Sequence, residues 1–287
     1  MWDYIKTAPF YILPQHLLSK GMYRLTRWRF SAWKNLIINL FIRHFQVDMQ
    51  IAEQSEVSAY PNFNEFFTRK LKSEHRPIAN LPLAIVSPVD GSISQIGEIR
   101  DDSILQAKGK FFNLPALLAK DSNTVQHFIN GHFATIYLSP RDYHRIHLPI
   151  DARLIKMTYV PGDLFSVNET SSRAVDQLFA RNERLICLFE TEYGLMACIL
   201  VAAIFVGGME TVWQGEVSPM KVREIRIWDY NTDSMSQTSF LKGEEMARFN
   251  MGSTVILLFE EKRIHWSKDM EARTSVKMGE VIGSANV

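Results

Sequence analysis

Residues 185–205 read LICLFETEYGLMACILVAAIF, which is two apolar runs separated by a short polar segment. Apolar runs of this kind are typical of strands that are buried in a sheet. The polar segment contains Glu192, Tyr193 and Gly194, a composition typical of a turn. We therefore predict two consecutive strands that meet at this turn.

Strand signals of the same kind continue on both sides of this pair. They start near residue 83 and recur without regular helices between them, which favours an antiparallel or mixed β core over βαβ units. Helical patches are expected at residues 114–120 and 171–181. The predicted strands cover residues 84–99, 132–138, 153–159, 185–190, 195–205, 211–217 and 254–259.

The chain before residue 83 has a helical character. Apolar residues recur at spacings of three and four within residues 12–47, which predicts an amphipathic helical region, and a short helix is predicted at residues 63–71. The fold class is therefore predicted as α+β, with a helical region over residues 1–75 and a β-rich domain over residues 76–287. The apolar stripe consists of Trp33, Leu36, Ile37, Leu40 and Phe41.

The composition is that of a folded globular chain. Its 287 residues are 46% hydrophobic and 22% charged, with a formal net charge of +1. These values exclude a disordered chain, and they exclude a protein that binds polyanions over its whole surface. Cys187 and Cys198 lie in apolar runs, which favours two buried thiols in a reducing compartment over a disulfide or a metal site.

The first 50 residues are both basic and aromatic. They contain ten aromatic residues, and seven Lys or Arg residues against two acids. Such a segment suits an anionic membrane surface, and an ordinary docking helix with a solvated basic face is the alternative. We see neither a secretory signal nor an apolar run of the ~18 residues that span a bilayer, so we expect a protein that lies on a membrane. The basic residues are Lys6, Lys20, Arg24, Arg27, Arg29, Lys34 and Arg43.

Three later segments contain groups suited to chemistry. Residues 87–91 read SPVDG, residues 138–149 read LSPRDYHRIHLP, and residues 249–255 read FNMGSTV. An Asp-Gly pair is commonly only a turn, and a Gly-Ser pair is commonly only a bend. The middle segment is harder to explain by folding alone, because it concentrates six titratable side chains within twelve residues.

Together these segments offer a nucleophile, a base and an acid. Ser253 is a weak nucleophile unless an imidazole such as that of His147 takes its proton, and Asp90 would hold that imidazole in the correct tautomer. The sequence does not establish that these groups meet, or which histidine is the base. His144 and His147 have the spacing of a zinc pair, but no further His or Cys pair at ligand spacing accompanies them, so no metal is predicted.

At these segments the chain resembles the phosphatidylserine decarboxylase family. The resemblance runs over essentially the whole length, and its hallmark is the cleavage-site tetrapeptide, usually Leu-Gly-Ser-Thr and here Met251-Gly252-Ser253-Thr254. Ala247 stands where relatives often have glycine. The segments that carry the resemblance are residues 63–67 (FNEFF), 87–91, 106–109 (QAKG), 143–147 (YHRIH), 159–168 (YVPGDLFSVN), 179–184 (FARNER), 210–213 (ETVW) and 242–244 (KGE).

The resemblance implies a chain that cuts itself between Gly252 and Ser253. His147, oriented by Asp90, would deprotonate Ser253, whose oxygen would attack the Gly252 carbonyl. Elimination and hydrolysis would then leave a pyruvoyl group at position 253, on a small chain of residues 253–287 that stays bound to residues 1–252. The pyruvoyl group acts as an electron sink in the decarboxylation of phosphatidylserine to phosphatidylethanolamine.

The resemblance also implies a sandwich-like or barrel-like β core and roles for the residues around the catalytic centre. His144 is the expected acid that protonates the substrate carbon, and Arg141, Arg145 and Tyr143 are expected to bind the substrate. The expected partners are phosphatidylserine, an anionic membrane surface at the cytoplasmic face of the cell membrane, and a second processed unit in a homodimer.

Three other functions remain open on the residues alone. A membrane-associated serine hydrolase would use Ser253, His147 and Asp90 on an external ester and would keep an intact chain. A lipid-binding module without activity would have no need for the histidines. A pyruvoyl decarboxylase of a soluble amino acid is disfavoured by the membrane character of the N-terminus.

Overall fold

Helices come first along the chain, and strands follow from residue 84. The structure is a computed structural model that describes residues 2–205, 208–218, 224–231 and 238–286. The helices are α1 (Trp2–Ile12), α2 (Gln15–Thr26), α3 (Ser31–Phe45), α4 (Phe63–Phe67), α5 (Leu114–Leu117), α6 (Ser122–Phe128), α7 (Glu169–Ala174) and α8 (Leu178–Arg181), with 3₁₀ turns at Val57–Ala59 and Ser73–His75.

The strands carry most of the core. They are β1 (Ala84–Val86), β2 (Gly91–Glu98), β3 (Ser103–Ala107), β4 (Lys110–Asn113), β5 (His132–Tyr137), β6 (Arg145–His147), β7 (Ala152–Val160), β8 (Arg184–Thr191), β9 (Gly194–Val201), β10 (Met209–Thr211), β11 (Gly215–Ser218), β12 (Arg226–Asp229), β13 (Ser239–Phe240), β14 (Glu245–Phe249), β15 (Thr254–Phe259), β16 (Ile264–Trp266), β17 (Ser275–Val276) and β18 (Val281–Ala285).

The largest sheet in the described ranges has nine strands, all paired antiparallel. Its order is β12-β7-β8-β9-β15-β5-β2-β17, with β13 also beside β7. The predicted pair at residues 185–205 forms β8 and β9, with Leu185 opposite Leu200. Both strands and β15 are buried on both faces, which explains why their sequences are continuously apolar rather than alternating. Cys187 and Cys198 are buried, unbonded thiols at opposite positions of this pair, as predicted.

Three smaller sheets complete the strand arrangement within those ranges. Their orders are β11-β10-β14-β6, β1-β18-β16 and β3-β4, and none closes into a barrel. The predicted α+β class with N-terminal helices and an antiparallel core is confirmed. Residues 211–217 form not one strand but the end of β10 and the start of β11, because the Thr211 hydroxyl accepts a hydrogen bond from the Gln214 N–H and Gly215 adopts a φ of 71°.

The N-terminal helices pack on the β core through a few specific contacts. Asp3 in α1 pairs with Arg173 at 2.7 Å, and the rings of Tyr11 and Phe165 are 4.9 Å apart. All three helices fall inside the predicted helical region of residues 1–75, and α2 and α3 lie within the amphipathic stretch of residues 12–47. No helix among the described residues is both long enough and apolar enough to cross a bilayer.

α4 links the helical region to the β core. Asn62 caps its N-terminus by accepting a hydrogen bond from the Glu65 N–H at 3.0 Å. Phe63, Phe66 and Phe67 are all buried against α3 in a second apolar cluster. This cluster places the end of α4 beside the segment that joins β14 to β15.

Candidate active site

The segment that joins β14 to β15 contains the Gly252–Ser253 bond and passes between two sheets. On the β14 side, the Phe249 N–H donates to the His144 carbonyl at 3.1 Å. On the β15 side, the Ser253 carbonyl accepts a hydrogen bond from the Leu138 N–H at 2.9 Å. The bond is therefore held from both ends by main-chain contacts.

The Asn250 side chain fixes the same segment to α4 and β10. The Asn64 amide donates to Asn250 Oδ1 at 3.2 Å, and Asn250 Nδ2 donates to Glu210 Oε1 at 3.3 Å. Met251 packs against the apolar cluster that contains the α4 phenylalanines. The residues before the Gly252–Ser253 bond are thus held against α4.

Ser253 is completely buried, and its Oγ has no hydrogen-bond partner among the described residues. A buried hydroxyl without a partner is uncommon, because its desolvation is not offset. No competing hydrogen bond has to be broken before this oxygen reacts. The site therefore fits a serine that is consumed rather than one that stabilises the fold.

Gly252 adopts a conformation open to any residue. A Cβ built on it would lie 3.5 Å from the Leu138 carbonyl oxygen and 3.7 Å from His144 Nε2, which are ordinary contact distances. Its φ is outside the left-handed region, so the backbone at this position does not require a glycine. A side chain at position 252 would therefore point towards Nε2 of His144.

His144 is buried and holds a defined tautomer. Its Nδ1 donates to the Asp142 carbonyl at 2.8 Å, which leaves Nε2 as an acceptor, and Nε2 has no partner in the described parts of the chain. Its ring lies on that of Phe67, with centroids 4.2 Å apart. Burial lowers the pKa of His144 to about 3, against the bond to Asp142 and with help from the charge of Arg69. His144 is therefore a neutral proton acceptor in the uncut chain.

His147, the expected base, has both nitrogens engaged. Nδ1 donates to the Gly243 carbonyl at 2.8 Å, and Nε2 lies 3.1 Å from the Tyr143 hydroxyl, which donates to it. Burial lowers the pKa of His147 and raises that of Tyr143. The Tyr143 hydroxyl therefore occupies the nitrogen that would accept a proton.

Asp90 does not hold His147, contrary to the sequence expectation. Both its carboxylate oxygens accept from the Arg76 guanidinium, with Nε to Oδ1 at 2.7 Å, and Oδ1 also accepts from the Met278 N–H. A bidentate charge-assisted pair is stronger than a single bond to a neutral imidazole, so Arg76 takes the carboxylate. The two segments still meet, since the His147 N–H donates to the Pro88 carbonyl at 2.9 Å. The carbonyl of Gly243 fixes the His147 tautomer instead.

Besides Tyr143, the expected substrate-binding residues are Arg141 and Arg145, and these two differ in their exposure. The Arg141 side chain is 64% exposed, with its nearest carboxylate oxygen, on Asp142, at 4.0 Å. Arg145 is buried and bonds Glu245 through both carboxylate oxygens at 2.8 Å and the Thr68 carbonyl at 2.8 Å. These contacts give Arg145 a structural role, because they tie β6 to β14 and to the end of α4.

Arg69 is a buried residue of the site that the sequence did not indicate. It is 4% exposed, and its Nη2 donates to the Arg141 carbonyl at 3.1 Å. Its Nε and Nη1 have no acceptor among the described residues. Burial lowers the pKa of Arg69, but a guanidinium keeps its proton at neutral pH. One arginine in a polar stretch after a helix has no sequence pattern that marks it as buried.

A cavity of about 550 Å³ borders the strand next to Ser253. Tyr137 lines it and pairs directly with Thr254, the residue after Ser253. Lys108, Arg173 and Arg273 line it together with Glu169, which pairs with both arginines, and Val167 gives it an apolar part. Within the described residues, no group of three or more His, Cys, Asp or Glu side chains is arranged to hold a metal ion.

Two protein-family models match this chain, one over each of two successive stretches. The model described as phosphatidylserine decarboxylase matches residues 63–284, and a second model, described as PSD, matches residues 5–46. The first match covers more than half of the chain, including α4, the histidine segment and the Gly252–Ser253 bond.

Curated relatives agree over almost the full length. A phosphatidylserine decarboxylase proenzyme of Stutzerimonas stutzeri strain A1501 is 47% identical over 277 residues, covering 96% of this chain and 93% of the relative. Proteins with the same description from Nitrosococcus oceani and Pasteurella multocida are 48% and 46% identical. Each of these two alignments covers 98% of this chain, with 91% of the first relative and 95% of the second.

Proposed function

The chain belongs to the phosphatidylserine decarboxylase family, and from that premise we propose that it cuts itself between Gly252 and Ser253 and converts Ser253 into a pyruvoyl group. Its activity is the decarboxylation of phosphatidylserine to phosphatidylethanolamine. The observation that carries the proposal is the buried Ser253 hydroxyl, which has no partner in the described part of the chain. When formed, the pyruvoyl carbonyl supplies the electron sink that carbon dioxide loss requires.

The cut begins with the transfer of the Ser253 proton to a base. The Ser253 oxygen then adds to the Gly252 carbonyl and replaces the amide by an ester. Loss of the Ser253 α-proton forms a double bond between its Cα and Cβ, and the Cβ–O bond breaks to release the Gly252 carboxylate. The remaining dehydroalanine tautomerises and takes up water, which releases ammonia and leaves the ketone.

We assign the base in the cut to His147, supported by the charge of Asp90. A hydrogen bond from the His147 N–H to the Pro88 carbonyl joins the two segments, and the negative charge of Asp90 favours protonation of His147. In this assignment the Tyr143 hydroxyl turns away from Nε2 when the proton moves. His144, whose Nε2 lies near position 252 without a partner in the described residues, protonates the former α-carbon of the substrate after carbon dioxide leaves.

A second candidate for the base is His144 itself. Its Nε2 is unpartnered within the described ranges and lies 3.7 Å from the Cβ position of Gly252, whereas Nε2 of His147 is occupied. Single variants separate the two assignments. His147→Ala is expected to stay uncut, whereas His144→Ala is expected to be cut but unable to release carbon dioxide, as followed by intact mass and by labelled carbon dioxide. The reverse pattern of cutting assigns the base to His144.

The proposal as a whole is tested on the purified full chain. Intact mass is expected to show two chains, of 252 and 35 residues, and a carbonyl reagent is expected to label only the smaller one. Ser253→Ala is expected to give one whole, inactive, unlabelled chain. A wild-type chain that remains whole while it decarboxylates phosphatidylserine would contradict the proposal. A whole chain labelled at Ser253 by a phosphonate would favour the hydrolase alternative.

We also propose that the enzyme docks on an anionic membrane through α1, α2 and α3, which is how it reaches a lipid substrate. Twelve of the eighteen large, exposed apolar side chains among the described residues lie within the first 40 positions. Lys6, Lys20, Arg24, Arg29 and Arg43 are exposed beside them. Lys34 and Arg27 do not contribute, because they are engaged with the Ser58 carbonyl and with Glu216. The homodimer and the cytoplasmic face of the membrane remain predictions from the family resemblance.

A further inference from the structure

Arg69 is a buried cation for which the chemistry above has no use. No carboxylate lies within ion-pair distance of it in the described ranges, and two of its nitrogens have no acceptor there. It contacts the Arg141 carbonyl and the face of the Phe66 ring, 5.4 Å from the guanidinium carbon, and the carboxylates of Asp90, Asp142 and Asp48 act on it only from beyond ion-pair distance. A buried charge in this state is destabilising unless an anion arrives to pair with it.

The other buried cations of the site are already paired. Arg76 binds Asp90, and Arg145 binds Glu245. Of these three arginines, Arg69 is therefore the one left to pair with an anion that forms inside the site.

Arg69 lies on the same side of the site as the residues that come before the Gly252–Ser253 bond. It follows α4 by two residues, and α4 contacts the scissile segment through the Asn64–Asn250 hydrogen bond and through the packing of Met251. His144 connects this side to the bond, because its ring lies on Phe67 and its Nε2 faces Gly252. The charge of Arg69 also acts on His144.

Cutting creates an anion at this place. When the Cβ–O bond of the ester breaks, its electron pair stays on the oxygen of Gly252, so the large chain gains a C-terminal carboxylate. The residues before it remain tethered by the Phe249 and Asn250 hydrogen bonds. The new carboxylate is therefore formed in a buried region with limited freedom to move away.

We propose that Arg69 is the counter-ion of the Gly252 carboxylate that self-cleavage releases. The proposal rests on the cut proposed above and adds a binding site for its leaving group. A guanidinium suits this task because it offers two parallel N–H donors to a carboxylate. It stabilises the leaving group during elimination, and afterwards it holds the new chain end away from Ser253.

The test follows the two stages of cutting in the full chain. Arg69→Gln is expected to form the ester and to slow elimination by about 10- to 100-fold, the factor that one lost charge-assisted hydrogen bond gives. The ester accumulates and is revealed by hydroxylamine, which cleaves it to give a hydroxamate at Gly252. Arg69→Lys is expected to recover part of the rate, and Arg100→Gln, which changes an exposed arginine outside the site and the N-terminal helices, is expected to cut like wild type.

Two results would overturn this inference without contradicting the proposed self-cleavage of the wild-type chain. One is an Arg69→Gln chain that is cut at the wild-type rate. The other is an Arg69→Gln chain that stays whole and resists hydroxylamine, which would place Arg69 before the ester. A wild-type chain that is never cut would instead overturn the proposed function itself.

A crystal structure of the cut wild-type protein tests the same point without a variant. The Gly252 carboxylate is expected within about 3 Å of the Arg69 guanidinium, at hydrogen-bond distance. A carboxylate that points elsewhere, with Arg69 still unpaired, would overturn the inference.

Discussion

At the scale of single residues, the site is defined by polar atoms without partners. Ser253 Oγ, His144 Nε2 and two nitrogens of Arg69 are all buried and unsatisfied within the described residues. Folding normally removes such atoms, because each is destabilising by about 1–3 kcal/mol. Such atoms also occur elsewhere, on Trp33, His132 and Tyr230 for example, but Ser253 and His144 place two of them at one peptide bond.

The buried His144 predicts a pH dependence of stability. Its pKa is about 3 in the folded chain and near 6.5 when unfolded. Between these values the unfolded chain binds more protons, so the free energy of unfolding falls as the pH falls from 6.5 towards 3. In a Ser253→Ala background, His144→Gln is expected to flatten this slope in denaturant titrations at pH 7 and pH 5. The exposed His265→Gln serves as the control, and an unchanged slope in His144→Gln would contradict the prediction.

The Arg76–Asp90 pair predicts that Asp90 has a structural role in addition to its electrostatic one. Asp90→Asn leaves a buried guanidinium without its counter-charge, so we expect destabilisation by about 3 kcal/mol. Denaturant unfolding in the Ser253→Ala background measures this change. The double variant Asp90→Asn/Arg76→Gln is expected to regain part of the lost stability. If Asp90→Asn has the same free energy of unfolding as its parent, the ion pair makes no measurable contribution to stability, contrary to the prediction.

At the scale of elements, α3 presents two apolar faces. Ile38 is buried in the cluster with α4, and Ile37 and Phe41 pack against it, whereas Leu36 and Leu40 are exposed. A single apolar stripe in the sequence therefore divides between the core and an open surface. The open surface continues on α1 and α2, which supports a lipid-facing role for all three helices.

This open surface predicts how membrane binding responds to mutation. Ile12, at the end of α1, is 87% exposed, and Ile12→Glu is expected to weaken sedimentation with phosphatidylcholine–phosphatidylglycerol vesicles by about tenfold, because a carboxylate disfavours both the apolar and the anionic parts of the surface. Leu241→Glu is the matched control, since Leu241 is 64% exposed outside these helices. Added salt is expected to weaken wild-type binding. Equal loss in both variants would contradict docking through the helices.

The sequence was sufficient for elements whose pattern is local. The pair β8–β9, the strand β15 and the position of the Gly252–Ser253 bond follow from apolar runs and a motif. The break between β10 and β11 was missed, because it depends on a Thr211 side-chain hydrogen bond rather than on apolar spacing. The partner of Asp90 was also missed, since Arg76 lies in a polar segment and meets Asp90 only through tertiary packing.

At the scale of the whole molecule, the small chain is distributed over two sheets. β15 lies between β9 and β5 in the centre of the largest sheet, β17 pairs with β2, and β18 pairs with β1. Residues Val255–Leu258 are completely buried. Cutting therefore removes one covalent connection from a core that remains paired on both sides of β15.

This arrangement predicts that the two chains separate only when the core unfolds. The cut protein is expected to elute as one species in native buffer, and its thermal midpoint is expected to rise with protein concentration, because unfolding now yields two molecules. The uncut Ser253→Ala chain is the control, with a midpoint independent of concentration if it is monomeric. Loss of the 35-residue chain before the sheet melts would contradict the prediction.

The hydrogen bond between the Leu138 N–H and the Ser253 carbonyl has a consequence for how the family can vary. The oxygen that accepts this hydrogen bond stays on residue 253 before and after the proposed cut. Because the donor is main chain, replacement of the Leu138 side chain does not delete it, and among the standard residues only proline lacks the donor. The position of the reactive residue is thus set by the register of a sheet, which point mutations seldom shift, and the side chain at position 138 can vary without loss of this contact.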